Sequence, residues 1–202
     1  MIIGKSGCGK TTLLIHLLLR PGYHILKKAF EEKLPKEVII RLFENQNEIT
    51  DLGISPISIV EEMVKEIRDK SDVECNFYQS AEDVPDPREL SSEKMNLMVF
   101  DDLLFEKQNT FESYYVRGRH SNVDCFYLAQ NYFKLPLQTI RENTNFICLF
   151  PQDLKNLNYI FDDHLGSDMT KEEFRQLCKT VWEKQHGFLI IDLSSKKHNG
   201  KY

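Results

Sequence analysis

Eight residues near the start of this 202-residue chain constrain it most: Gly4-Lys5-Ser6-Gly7-Cys8-Gly9-Lys10-Thr11. The pattern is Gly, any four residues, then Gly-Lys-Thr. Its glycines let backbone N–H groups converge on an anion, because a Cβ would block that approach. The apolar residues Met1–Ile3 precede the loop. A helical pattern over Lys10–Leu19 follows it and is closed by Arg20-Pro21-Gly22. A strand, a tight loop and a helix N-terminus together favour phosphate. Composition alone would produce such a match on the order of once in 10⁴ positions. The chemistry assigns Gly4, Lys5, Ser6, Gly7, Cys8, Gly9, Lys10, Thr11 and Thr12 to a nucleotide. Lys10 reaches the β- and γ-phosphates of ATP, and the Thr11 hydroxyl coordinates Mg²⁺.

The rest of the chain reads as short apolar strands alternating with helices. Strands are expected at Val38–Phe43, Glu74–Tyr78, Leu97–Phe100, Cys125–Ala129, Phe146–Phe150 and Phe188–Leu193. Val60, Met63, Val64 and Ile67 recur at helical spacing and predict a helix over 57–70. Phe111–Arg117 is also helical in pattern. Thr170-Lys171-Glu172-Glu173 has capping-box form and opens a helix with the apolar stripe Phe174, Leu177, Cys178, Val181 and Trp182. Ser80–Glu93, acidic and carrying Pro85 and Pro87, is a loop or irregular turn. The fold class is therefore α/β, a single P-loop NTPase domain over 1–202. Its mostly parallel sheet has helices on both faces. Only three residues precede Gly4, whereas a strand usually has about five or six. The first strand is accordingly expected to be truncated, with the chain a fragment or its start codon assigned too late.

Two further strand ends carry candidate chemistry. Leu97-Met98-Val99-Phe100-Asp101-Asp102 is a buried strand running into two acids. Asp101 at its end would hold Mg²⁺ directly or through water. Asp102 would orient or deprotonate the attacking water. About 90 residues separate this motif from the loop, which leaves room for an added strand, as in one branch of P-loop ATPases. Cys125-Phe126-Tyr127-Leu128-Ala129-Gln130-Asn131 ends in an amide, Gln130, suited to sensing the γ-phosphate or positioning water. Arg117-Gly118-Arg119-His120 offers an arginine finger towards a neighbouring subunit, a contact to a DNA backbone, or a solvated helix end. Arg141 is a second candidate for the finger.

Other classes drop out. The longest apolar run, Leu13–Leu19, contains His16 and is too short to span a bilayer. No secretory signal pattern opens the chain, and the expected location is intracellular. Five widely spaced cysteines without a CxxC pair read as free thiols in a reducing compartment, most of them buried. The six histidines lack metal-ligand spacing. Lys196-Lys197-His198 and Lys201 form a basic tail suited to touching DNA or simply solvated. With 26 Lys and Arg against 31 Asp and Glu, the net charge is −5, which speaks against a surface that coats nucleic acid throughout.

Taken in order, these motifs resemble one known family. The loop, Leu97–Asp102, Arg117–His120, then Gln130-Asn131-Tyr132-Phe133, Ile140-Arg141-Glu142-Asn143 and His186-Gly187-Phe188 look like the genome-packaging ATPases of the poxvirus and giant-virus type. These belong to the FtsK–HerA superfamily. The likeness is greatest to versions from Maverick/Polinton elements, virophages and related eukaryotic viruses, and it covers nearly the whole chain. It implies an ATP-driven ring, usually a hexamer, that pumps double-stranded DNA into a preformed capsid at a viral assembly site. It also implies Lys10 and Thr11 as the loop pair, Asp101 and Asp102 as the acidic pair, and Gln130 as the sensor. Arg119 is the better match to the finger and Arg141 the second. Asp102 stands where many ATPases of the superfamily carry Glu, so an extra water is needed to reach the nucleophile. Glu106–Thr110 is the candidate DNA-gripping loop. Two other readings remain at this level: a P-loop kinase or switch acting on a small molecule, and an inactive ATP-binding module.

Overall fold

A computed structural model describes residues 1–19, 38–44, 74–78, 80–104, 106–196 and 200–202. The helix expected over 57–70, the turn expected at 20–22 and the tail residues 197 and 198 lie outside them. The chain divides into two compact units, one made of Met1–Lys10 and Leu128–Tyr202, the other of Thr11–Tyr127.

In the first unit, β1 is Ile2–Ile3, β6 is Phe146–Leu149 (numbered in chain order) and β7 is Leu189–Asp192; the end of β5, Val123–Ala129, completes the order β5-β1-β6-β7. β1 runs parallel to both neighbours, with Ile3 opposite Ala129 and Leu149. It is flanked on both sides, and Ile2 and Ile3 are buried as a central strand requires. β7 is antiparallel to β6, pairing Phe146 with Asp192 and Leu149 with Leu189.

Two helices belong to this unit. Leu154–His164 places Leu157, Ile160 and Phe161 on its buried face, and Asp153 caps it by accepting from the Asn156 N–H. Lys171–Trp182 starts with the expected capping box at Thr170 and Glu173. Its stripe is partly core: Phe174 and Cys178 are buried. Trp182 donates its indole N–H to the Leu149 carbonyl at 3.1 Å.

The second unit has the strand order β3-β2-β4-β5, with β2 Val38–Glu44, β3 Glu74–Tyr78 and β4 Met95–Asp101. β2 is parallel to β3 and to β4, and the last aligned pair is Glu44 opposite Asp101. Two strands, β2 and β3, precede β4 in the interval that the spacing left open for added strands. Leu97–Phe100 are buried, and the Phe100 ring lies 5.0 Å from Phe111, 5.5 Å from Tyr114 and 5.9 Å from Tyr127. Each such ring contributes about 1.5–3 kcal/mol on burial.

Phe111 and Tyr114 lie on the buried side of the helix Asn109–Arg117. The entry to β4 is fixed by buried Asn96, whose Nδ2 lies 2.9–3.1 Å from the carbonyls of Ser91, Lys94 and Ser121. The 80–93 segment is turns and one short 3-10 helix, Pro87–Glu89, tied down by Tyr114 Oη donating to the Pro85 carbonyl.

The cysteines differ from expectation. Of the four with described side chains, Cys178 alone is fully buried; Cys8, Cys125 and Cys148 are half-exposed. Among the described residues no helix is long and apolar enough to cross a membrane.

Candidate nucleotide site

The 4–11 loop leaves β1 with its turn already formed. Gly4 N donates to the Ala129 carbonyl at 3.0 Å, and Cys8 N donates to the Lys5 carbonyl at 3.3 Å. Gly7 and Gly9 have φ of +72° and +103°, conformations that L side chains rarely adopt. Gly4 is required for a different reason. A Cβ there would lie 2.3 Å from Cys8 Sγ and 2.8 Å from Phe150 Cβ.

Lys10 is buried, and its ammonium donates to the carbonyls of Gly4 at 2.9 Å and Lys5 at 3.2 Å. The cation is thus held across the loop it is expected to serve. Burial pushes the Cys8 thiol up, partly opposed by the Lys10 charge. Ser6, Lys5 and Thr12 are exposed on the loop and helix start, and Thr11 is half-exposed.

Gln130 follows Ala129, whose carbonyl takes the Gly4 N–H, so in this unit the amide stands one residue from the loop's first anchor. It follows the last residue of β5, where the apolar run ends.

The acidic pair belongs to the second unit. Asp101 ends β4, and Asp102 takes φ +51°, a left-handed conformation tolerated by Asp. The turn after it is clamped by Gln108. Gln108 Nε2 donates to the Leu103 carbonyl at 2.6 Å and the Glu106 carbonyl at 2.9 Å, while its Oε1 accepts from Tyr127 Oη at 3.1 Å. Burial, with the Asp102 charge adding to it, pushes the Tyr127 hydroxyl well up; the Gln108 bond acts the other way. The 106–110 segment is therefore a fixed turn into the helix Asn109–Arg117. No pattern in the sequence marked Gln108 as its clamp.

The two arginine candidates differ sharply. Arg119 is exposed on the 3-10 helix Gly118–Ser121, between the exposed Arg117 and His120. Arg141 is 7% exposed. Its guanidinium donates to Asp163 Oδ2 at 2.6 Å and lies 5.1 Å from the Tyr132 ring centre and 5.8 Å from that of Tyr159. Tyr132 Oη joins the same carboxylate at 2.9 Å and meets His164 Nε2 at 2.7 Å. Burial lowers the His164 imidazole and raises the Tyr132 hydroxyl. Arg141 thus braces its own unit from within. An extended finger needs the exposure that Arg119 has.

Thr11 and Asp101 are both oxygen donors of the second unit. Magnesium is usually held by one or two such side chains together with substrate phosphates, not by an all-protein cage. That chemistry fits the pair. Among the described residues no cluster of three His, Cys, Asp or Glu offers another cation site.

No known protein family matches the sequence, and no curated protein matches it. Solved structures do match in fold. The genome packaging NTPase B204 of Sulfolobus turreted icosahedral virus 2 in complex with ATP-gammaS has a TM-score of 0.56 at 14% identity, over 96% of this chain and 91% of that one. B204 described as the DNA-packaging ATPase of Sulfolobus turreted icosahedral virus gives 0.54 at 15% identity, over 96% and 91%. The AMPPCP complex of the former gives 0.52 at 15% identity, with the same coverage. At these identities the likeness is one of fold, and it agrees with the P-loop NTPase architecture.

Proposed function

We propose that this chain is an ATP-hydrolysing motor that moves double-stranded DNA into a viral capsid, working as a ring of copies. The observation that carries the reading is the loop itself. Its glycines already hold left-handed turns, Lys10 lies across it, and Gln130 follows the residue that anchors it. The fold likeness to B204, a genome packaging NTPase solved with ATP analogues, supports packaging over other uses of such a loop.

The residues divide the work. Gly4–Thr12 bind the phosphates, with Lys10 holding the β–γ end. Thr11 and Asp101 are the pair to hold Mg²⁺, which when bound neutralises charge shared by the β- and γ-oxygens. Asp102 orients the attacking water, and Gln130 reports on the γ-phosphate. Arg119 reaches from one subunit to complete the site of the next. The acid excess of the whole chain does not oppose this, because a ring encloses DNA and only channel-facing residues need be basic. The motif order points to the Maverick/Polinton and virophage group, hence to a capsid partner and an intracellular assembly site.

ATP turnover with and without linear duplex DNA, alongside the particle mass in solution, tests the reading. The expected result is turnover stimulated several-fold by duplex DNA, from a particle several times the 23.8 kDa chain. DNA-independent transfer of phosphate to a small molecule would replace it with a kinase. Nucleotide binding without turnover would replace it with an inactive module.

A further inference from the structure

Within the first unit, a second segment reaches the phosphate-binding loop. It joins the helix Lys171–Trp182 to β7. A Cβ built on Gly9 would sit 4.0 Å from His186 Nδ1 and 3.9 Å from the Phe150 ring. His186 itself has φ +57°, which few non-glycine residues adopt.

The surroundings impose that conformation. Gly187 N donates to the Lys184 carbonyl at 2.9 Å. A Cβ on Gly187 would lie 2.2 Å from the Val181 carbonyl oxygen, so the turn is pressed against the end of its own helix. The Phe188 ring then stacks at a tilt on Phe150, with centroids 5.1 Å apart. With Cys8, Phe150 also excludes a Cβ from Gly4. One aromatic pair thus ties this turn to both ends of the loop. His186 is nonetheless exposed, so core packing does not account for its placement.

We infer that His186 is a nucleotide-contacting residue, its imidazole donating a hydrogen bond to the α/β-phosphate oxygens of a bound nucleoside di- or triphosphate. The inference rests on the nucleotide-binding reading of the loop. N–H groups at the Gly9 end of such a loop cradle the α- and β-phosphates, whereas the lysine serves the β–γ end. A side chain beside Gly9 therefore faces the part that ADP and ATP share. Imidazole always carries at least one N–H, and a hydrogen bond to a phosphate anion is of the strong, charge-assisted kind.

Two variants of the full chain test it. His186→Gly removes the imidazole and keeps the left-handed turn without strain. His186→Asn keeps the turn and restores an N–H donor near the position of Nδ1. Dissociation constants for ADP and ATP are measured for both, for wild type and for Lys10→Ala, with the nucleotide-free unfolding midpoint as the check on folding. His186→Gly is expected to weaken ADP and ATP by the same factor, about tenfold, as for the loss of one hydrogen bond to a charged group. His186→Asn is expected to recover most of that. Wild-type affinity in His186→Gly, or a loss confined to ATP, would overturn the role of His186. If Lys10→Ala also kept wild-type ATP affinity, the reading of the loop itself would fall.

Discussion

Lys10→Ala is expected to lower ATP turnover by about 10³-fold, the upper range for removing one preorganised electrostatic group from a transferring phosphoryl centre. The expectation follows from where the ammonium already is. It is buried and held by the Gly4 and Lys5 carbonyls at 2.9 and 3.2 Å, so no reorganisation is needed to bring a cation to the loop. Alanine leaves the loop's glycine turns and the Gly4–Ala129 bond in place. The variant should therefore fold with an unfolding midpoint close to wild type and fail in chemistry. Steady-state phosphate release, with circular dichroism to confirm folding, checks both halves. Turnover within tenfold of wild type would remove Lys10 from the centre of the site.

Arg119→Ala is expected to lower turnover by about 10³-fold or more, the range for arginine fingers, while ATP affinity stays near wild type. Arg119 is exposed, and its position is set by neighbours that do not depend on its side chain. Asn122 closes the 3-10 helix in the left-handed region at φ +51°, and a Cβ on Gly118 would stand 3.3 Å from Val123 Cβ. The distinguishing result comes from mixing. An Arg119→Ala subunit keeps an intact loop, and a Lys10→Ala subunit keeps an intact arginine. Mixed rings should then recover part of the activity that neither variant has alone. No recovery would mean that Arg119 acts within its own subunit or not at all. Arg141→Ala should behave differently, costing about 3 kcal/mol of stability by leaving the largely covered Asp163 carboxylate without its cation, with only the Tyr132 hydroxyl still on it.

Much of the site was legible because it is local. The loop's conformation is written in three glycines, and the helix it opens spans Lys10–Leu19 as its pattern predicts. Strand ends at Asp101 and Ala129 follow from apolar runs meeting polar residues. Features that depend on distant partners were not legible. Arg141 lies in a motif with no sign of burial, because its partners Asp163, Tyr132 and Tyr159 come from other elements. The same holds for the antiparallel direction of β7, which is set by pairing with β6. The helix Leu154–His164 escaped the periodicity reading for another reason. Its first apolar residue, Leu154, faces solvent, and its buried stripe includes a polar residue, Asn156. Asn156 earns that place by accepting from the Phe133 N–H, a contact invisible in the sequence. His186 stood in a quoted motif, yet only its left-handed turn and its approach to Gly9 give it a role.

The claim that the chain moves along DNA is tested most directly by displacement of a triplex-forming oligonucleotide from a linear duplex. The wild-type chain with ATP is expected to release the oligonucleotide. Lys10→Ala, or wild type with AMPPCP, should leave it bound. Release without ATP, or vigorous ATP turnover on duplex DNA with the triplex intact, would contradict the account.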